Sequence, residues 1–222
     1  MIHPALISIL VVAVGTSHAG KKPGTKHMID NQKHLQEAQI FADKFEPSRE
    51  PDWLEKAQGA LEDVVWNAEG NPKTRAEIRL RALEMWLRLV DLLDRHVDPA
   101  FDENDTPQKL VDPPALPDSS KGSLRPGASP SLIADPKLRS EYEQAIAANR
   151  AKIKRYGFQL DLRFLDQSIR PRAHKFIANA YKPIPEDRDE LRKAIGRNIK
   201  SDRGKAALLN LPIFGPQAPV PR

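Results

Sequence analysis

The chain is expected to fold as an all-α protein: two antiparallel helical segments of about three helices each, joined by a long proline-rich irregular connection. Three observations carry that expectation. Apolar residues recur at i, i+3, i+4 and i+7 through most of 26–97 and 136–199, the period of helices buried on one side. Of 20 prolines in 222 residues, eight lie between Pro99 and Pro136, a density that neither helix nor sheet tolerates. The chain also contains no cysteine, so a disulfide framework, a thiolate zinc site, an iron–sulfur cluster and a cysteine nucleophile are all excluded. A mean hydropathy of −0.55 excludes a multi-span membrane protein.

Residues 1–19 carry no Lys, Arg, Asp or Glu. The apolar run Ala5–Val14, followed by the small residues Ser17 and Ala19 at positions −3 and −1 of a cleavage site, reads as a signal peptide, with the mature chain starting at Gly20. The n-region lacks the usual basic residue, and retention as an N-terminal anchor is the alternative. Four further units follow: 20–98 (helical), 99–135 (linker or strap), 136–210 (basic and helical) and 211–222 (extended tail).

In 20–98 a first helix is expected over Lys26–Phe45, with Leu35, Ala38, Phe41, Ala42 and Phe45 on one face. Pro47 and Pro51 end it. Asp52 and Glu55 then have capping-box spacing, and Trp53, Leu54, Ala57, Leu61, Val64, Val65 and Ala68 continue at helical spacing. After Gly70-Asn71-Pro72, Thr74 and Glu77 open a third helix to about Val97. Its apolar arc covers ~220° of the circumference, far more than one stripe, which makes it the central helix of its unit. Arg79, Asp94 and His96 interrupt that arc. The opposite face carries Glu77–Arg81, Glu84–Arg88 and Asp91–Arg95 at i, i+4, a ladder that reads as a solvated face.

Beyond the connection, Asp135 caps and Pro136 starts a helix to about Tyr156. Gly157 loosens it, a second stretch runs from Phe158 to Ile169, and Pro171 begins another helix to Tyr181. Asp187 and Glu190 have the spacing of a second capping box, opening a helix through Leu191, Ile195 and Ile199.

Charge is unevenly placed. Residues 20–135 hold 16 basic and 21 acidic side chains, net −5, whereas 136–210 hold 18 basic and 9 acidic, net +9. Lys152, Lys154, Arg155, Arg163, Arg170, Arg172 and Lys175, interleaved with Tyr156, Phe158 and Phe164, form the candidate anion-binding set. In an exported protein such a set meets an anionic envelope polymer or lipid headgroups rather than nucleic acid. The competing reading is that the basic segment docks on the acidic one.

His27, Asp30 and His34 at i, i+3 and i+7 are a weak candidate metal set, because His34 shares a side with Ala38, Phe41 and Phe45. No cofactor is expected. Asp98, Asp102, Glu103, Asn104 and Asp105 resemble a calcium loop in composition only, since Pro107 and Pro113 stand where its glycine and bidentate glutamate belong. Gly127–Ser131 lacks the closing glycine of a nucleophile elbow.

The function expected from these features is that of an exported, non-enzymatic α-helical interaction protein of the cell envelope or secreted space, whose partner is another envelope or secreted protein. Binding of an anionic envelope polymer or membrane surface through 136–210 is the alternative. An exported hydrolase with carboxylates that no motif singles out comes third.

Overall fold

The computed structural model describes residues 24–68, 70–102, 130, 133 and 135–215, with side chains from Asp30 onward. The apolar run 5–14, the cleavage site at Ala19, most of the proline-rich connection and residues 216–222 lie outside the described residues. Every regular element within them is helical: α1 (Gly24–Ser48), α2 (Asp52–Glu62), α3 (Pro72–His96), α4 (Pro136–Ala180), α5 (Pro185–Asn198), α6 (Asp202–Leu209) and a 3-10 turn at Pro212–Phe214. Three helices thus stand on each side of the connection. Among the described residues, no helix is long and apolar enough to cross a membrane.

The wide apolar arc of α3 has its expected consequence on a larger scale, because α3 touches α1, α2, α4, α5 and α6. Leu83, Trp86, Leu87 and Val90 of α3 share one apolar core with Leu35 and Phe45 of α1, Leu54 and Leu61 of α2, Leu162, Ile169 and Ile177 of α4, and Leu191 and Ile195 of α5. The two helical segments therefore bury their apolar faces against the same helix.

Against the pattern-based expectation, α1 runs through Pro47 to Ser48, and residues expected in an extended tail form a 3-10 turn at Pro212–Phe214 whose Ile213 and Phe214 pack on the core. Three further boundaries differ, each for a physical reason. First, α4 runs unbroken through Gly157 and Pro171, where three shorter helices were expected. Leu162, Leu165, Ile169, Ala173 and Ile177 are buried at three- and four-residue intervals across the proline, so docking on α3 sustains the helix. Pro171 and Gln167 are both exposed, which leaves the carbonyl deprived of its N–H partner open to water.

Second, only one of the expected caps forms as read. Asp135 accepts from the backbone N–H groups of Lys137 (2.9 Å) and Leu138 (3.4 Å), with Pro136 at the first helical position. By contrast Asn71, not Thr74, caps α3, accepting from Lys73 (2.7 Å) and Thr74 (3.2 Å). Helices α2 and α5 start behind Pro51 and Ile184 without a side-chain cap, and the carboxylates of Asp187 and Glu190 are instead taken by Arg79.

Third, α2 stops at Glu62 although the apolar period runs on to Ala68. The buried Asn31 of α1 explains this, since its amide clamps the backbone of one residue of the following loop, donating to Val65 O (2.9 Å) and accepting from Val65 N–H (2.8 Å). A backbone bound this way is not available to a continuing helix.

Candidate functional site

The seven basic residues of the candidate anion-binding set divide sharply. Arg155 pairs with Asp98 (2.9 Å), Arg170 with Asp94 and Asp166 (2.8 Å each), and Arg172 with Glu62 (2.7 Å). Arg163 donates to the Phe101 carbonyl (2.7 Å) and lies near that ring. Arg155, Arg170 and Arg172 of α4 thus reach carboxylates of the N-terminal segment and join the two halves, while Arg163 holds the start of the connection at Phe101. Lys152 is exposed near its neighbours, whereas Lys154 and Lys175 are exposed with no acidic partner among the described residues.

The same division of labour runs along α3. Arg79 donates to Asp187 (3.3 Å), Glu190 (3.2 Å) and the Ala180 carbonyl (3.3 Å), with its guanidinium over the Tyr181 ring. Asp94 accepts from Arg170 and, at 3.3 Å, from the Ser201 hydroxyl. The carbonyl of His96 accepts from Gln159 Nε2 (2.9 Å), while Gln159 Oε1 accepts from Asp98 N–H (2.7 Å). Each of the three residues that interrupt the apolar arc is therefore a point where the C-terminal helices or the start of α6 are pinned to α3. Gln159 was not singled out by any motif, because a buried glutamine carries no periodic signal.

Of the ladder on the other face of α3, only Asp91–Arg95 forms within the helix (2.9 Å). Arg88 pairs with Asp43 of α1, Arg95 also with Glu46 of α1 (2.9 Å), and Glu84 with Arg197 of α5 (2.9 Å). The face expected to be solvated is bridged to its neighbours on both sides.

The metal candidates do not assemble among the described residues. The side chain of His27 lies outside them, Asp30 is half-buried, and His34 Nδ1 stands 3.6 Å from Glu37 of its own helix. No group of three or more His, Cys, Asp or Glu side chains there could hold a metal ion. Asp98, from the calcium-like stretch, accepts from Ala100 N–H (3.0 Å) and pairs with Arg155, while residues 103–105 lie outside the described residues, as do 127–129 and 131 of the elbow-like stretch.

Two shallow clefts flank the C-terminal end of α4. One of about 270 Å³ is lined by Trp66, Asn67, Pro72, Arg75, Ala76 and Arg79. The other, about 320 Å³, lies between His174, Lys175, Ile177 and Ala178 of α4 and Leu211–Ile213. Burial, reinforced by Arg170, holds His174 below its ordinary value of 6.5, and burial with Arg49 and Arg95 does the same to His96. Each imidazole therefore binds its proton less readily in the folded chain than in the unfolded one. The stability they contribute is complete above pH 6.5 and is lost as pH falls through the folded values. The urea midpoint is expected to drop between about pH 6.5 and 5, where most carboxylates stay ionised, and to drop less steeply in His174→Gln. Parallel slopes in the two proteins would show that His174 does not titrate in this way.

The outward face of α4 is the most distinctive surface. Ile153 (50% exposed), Leu160 (41%) and Phe164 (72%) are large apolar side chains left in solvent. They follow i, i+7 and i+11, with Gly157 between, so all four positions lie within ~60° of one another around the helix. Open space surrounds the position a Cβ would take at Gly157. A line of this kind on a long helix differs from singly scattered apolar residues, which need no explanation. No family model, curated protein or solved structure matches the chain.

Proposed function

We propose that the chain is an exported, non-catalytic α-helical interaction protein that acts by presenting the outward face of α4 to a protein partner. The aligned exposure of Ile153, Leu160 and Phe164 carries this reading. Ion pairs and a backbone hydrogen bond account for the four arginines of the candidate anion-binding set, whereas these three leave apolar surface in water without any intramolecular gain. Export is proposed on the uncharged apolar run and the small residues at 17 and 19.

A photo-crosslinking residue in place of Phe164, introduced in the native host, is expected to yield covalent adducts with protein, while the same residue in place of the exposed Asp189 yields none. N-terminal sequencing of the recovered protein should begin at Gly20. Absence of adducts at 164 would remove the docking surface from the proposal, and an intact Met1 terminus in the cytoplasm would remove export.

Binding of an anionic polymer or lipid surface through 136–210 is the second reading, favoured by the exposed ammonium groups of Lys154 and Lys175. It requires retention on anionic vesicles or envelope polymer that falls steeply with salt.

A further inference from the structure

We propose that the occupant of the α4 face is a second copy of this chain, its α4 antiparallel to the first about a two-fold axis passing between Gly157 and Phe158. The proposal rests on the reading that this face is a docking surface and adds the identity of the partner.

The argument is one of self-complementarity. An isologous contact brings each residue opposite the residue equally far on the other side of the axis. Ile153 then falls midway between Leu160 and Phe164 of the second copy, so each stripe seats its isoleucine in the gap left by the other. Gly157 sits at the crossing point, where the absence of a side chain lets the backbones approach. This gives a glycine inside a long helix a role that offsets its low helix propensity relative to alanine.

The charges along one margin of the stripe obey the same symmetry. Glu143, Lys154, Asp161 and Arg172 all lie ~80–100° around the helix from Ile153, on the same side. Lys154 and Asp161 are equidistant from the axis, and so are Glu143 and Arg172. A two-fold about this point keeps that margin on the same side in both copies, so Lys154 meets Asp161 of the second copy and Glu143 meets its Arg172, each pair occurring twice. Glu143, Lys154 and Asp161 are exposed and make no ion pair among the described residues. Arg172 is exposed beside Glu62, with a guanidinium that offers more donors than that pair uses. The outermost matched residues, Glu143 and Arg172, set a contact length of ~44 Å along α4. An anionic lipid surface fits less well, because Glu143 and Asp161 would place carboxylates beside the headgroups.

The test uses the protein purified from its native host, studied by sedimentation equilibrium across micromolar concentrations. A dimer is expected, together with its loss in Phe164→Asp. Lys154→Asp and Asp161→Lys are each expected to raise the dissociation constant at least about ten-fold, because each places like charges opposite one another twice. The double variant should return to within about three-fold of the unmodified protein, since it restores both pairs with their signs exchanged. All three substituted side chains being exposed, unchanged thermal midpoints of the diluted variants verify that they fold.

A monomer at every concentration, with adducts at position 164 on other proteins, overturns self-association and leaves the docking reading intact. A monomer without any adduct overturns both. A dimer indifferent to Phe164→Asp, or single charge reversals that the double variant does not rescue, places the contact elsewhere. Phe164-dependent retention on anionic vesicles by a monomer assigns the face to a lipid surface instead.

Discussion

Replacing Leu87 with alanine is expected to lower the unfolding free energy by about 2–5 kcal/mol, and replacing its neighbour Arg88 by less than about 1 kcal/mol. Leu87 has no exposed surface and sits near the middle of α3, the helix against which five others pack. Truncation removes three carbons from the densely packed core that both helical segments share, leaving a void that is only partly filled by relaxation. Arg88, one residue on, is only partly buried and its partner Asp43 is more than half exposed, so water replaces most of what is lost. Urea titration of both variants decides the matter. Equal midpoints would mean that α3 is turned differently in its bundle.

The position of Leu87 illustrates what periodicity makes legible. An apolar arc of ~220° needs several neighbours, and the identity of the central helix followed from that count alone. The origin of those neighbours was not legible. Nothing in the spacing of Leu162, Ile169 and Ile177 distinguishes docking on α3 from docking within their own segment. The charge asymmetry pointed to contact between the halves, and Arg155, Arg170 and Arg172 do meet acids of the N-terminal segment. Yet the shared surface is mainly apolar, with the arginines at its margins.

Misplaced caps and breaks have a common cause. Asp187 and Glu190 match a capping box, and Gly157 and Pro171 match helix stops, when the chain is read a few residues at a time. Tertiary partners override both: Arg79 lies 108 residues from Asp187 in sequence, and docking on α3 keeps α4 helical across its proline. The α4 face was missed for a related reason. Aromatic and aliphatic residues at helical spacing usually pack in a core, so spacing alone does not set Leu160 and Phe164 apart from Leu162 and Leu165. Only the burial of Leu162, Leu165 and Ile169 on the other side of the same helix shows which of the two faces is left over.

Asp91→Ala is expected to cost about 3 kcal/mol, close to the loss of a buried ion-pair member, while Glu84→Ala costs under about 1 kcal/mol. The two acids occupy equivalent rungs of the i, i+4 ladder on α3, seven residues apart, and sequence alone treats them alike. Glu84 is partly exposed and faces Arg197, itself mostly in water. Asp91 is 2% exposed and both of its oxygens are engaged: Oδ2 accepts from Arg95 Nε (2.9 Å), and Oδ1 accepts from the backbone N–H of Lys200 (2.7 Å). Lys200 lies in the link between α5 and α6, so this carboxylate ties that link to the central helix. Removing it strands a backbone donor and weakens the hold on Arg95, which keeps Glu46. Asp91→Asn should fall between the two alanine variants, because its carbonyl oxygen still accepts from Lys200 while its amide faces the donors of Arg95. Amide hydrogen exchange at Lys200 provides the local readout, with protection expected to collapse in Asp91→Ala and to persist in Asp91→Asn and Glu84→Ala. Equal costs for Asp91→Ala and Glu84→Ala, with Lys200 equally protected in both, would mean that burial makes no difference between the two rungs and that the α5–α6 link is held by its apolar contacts alone.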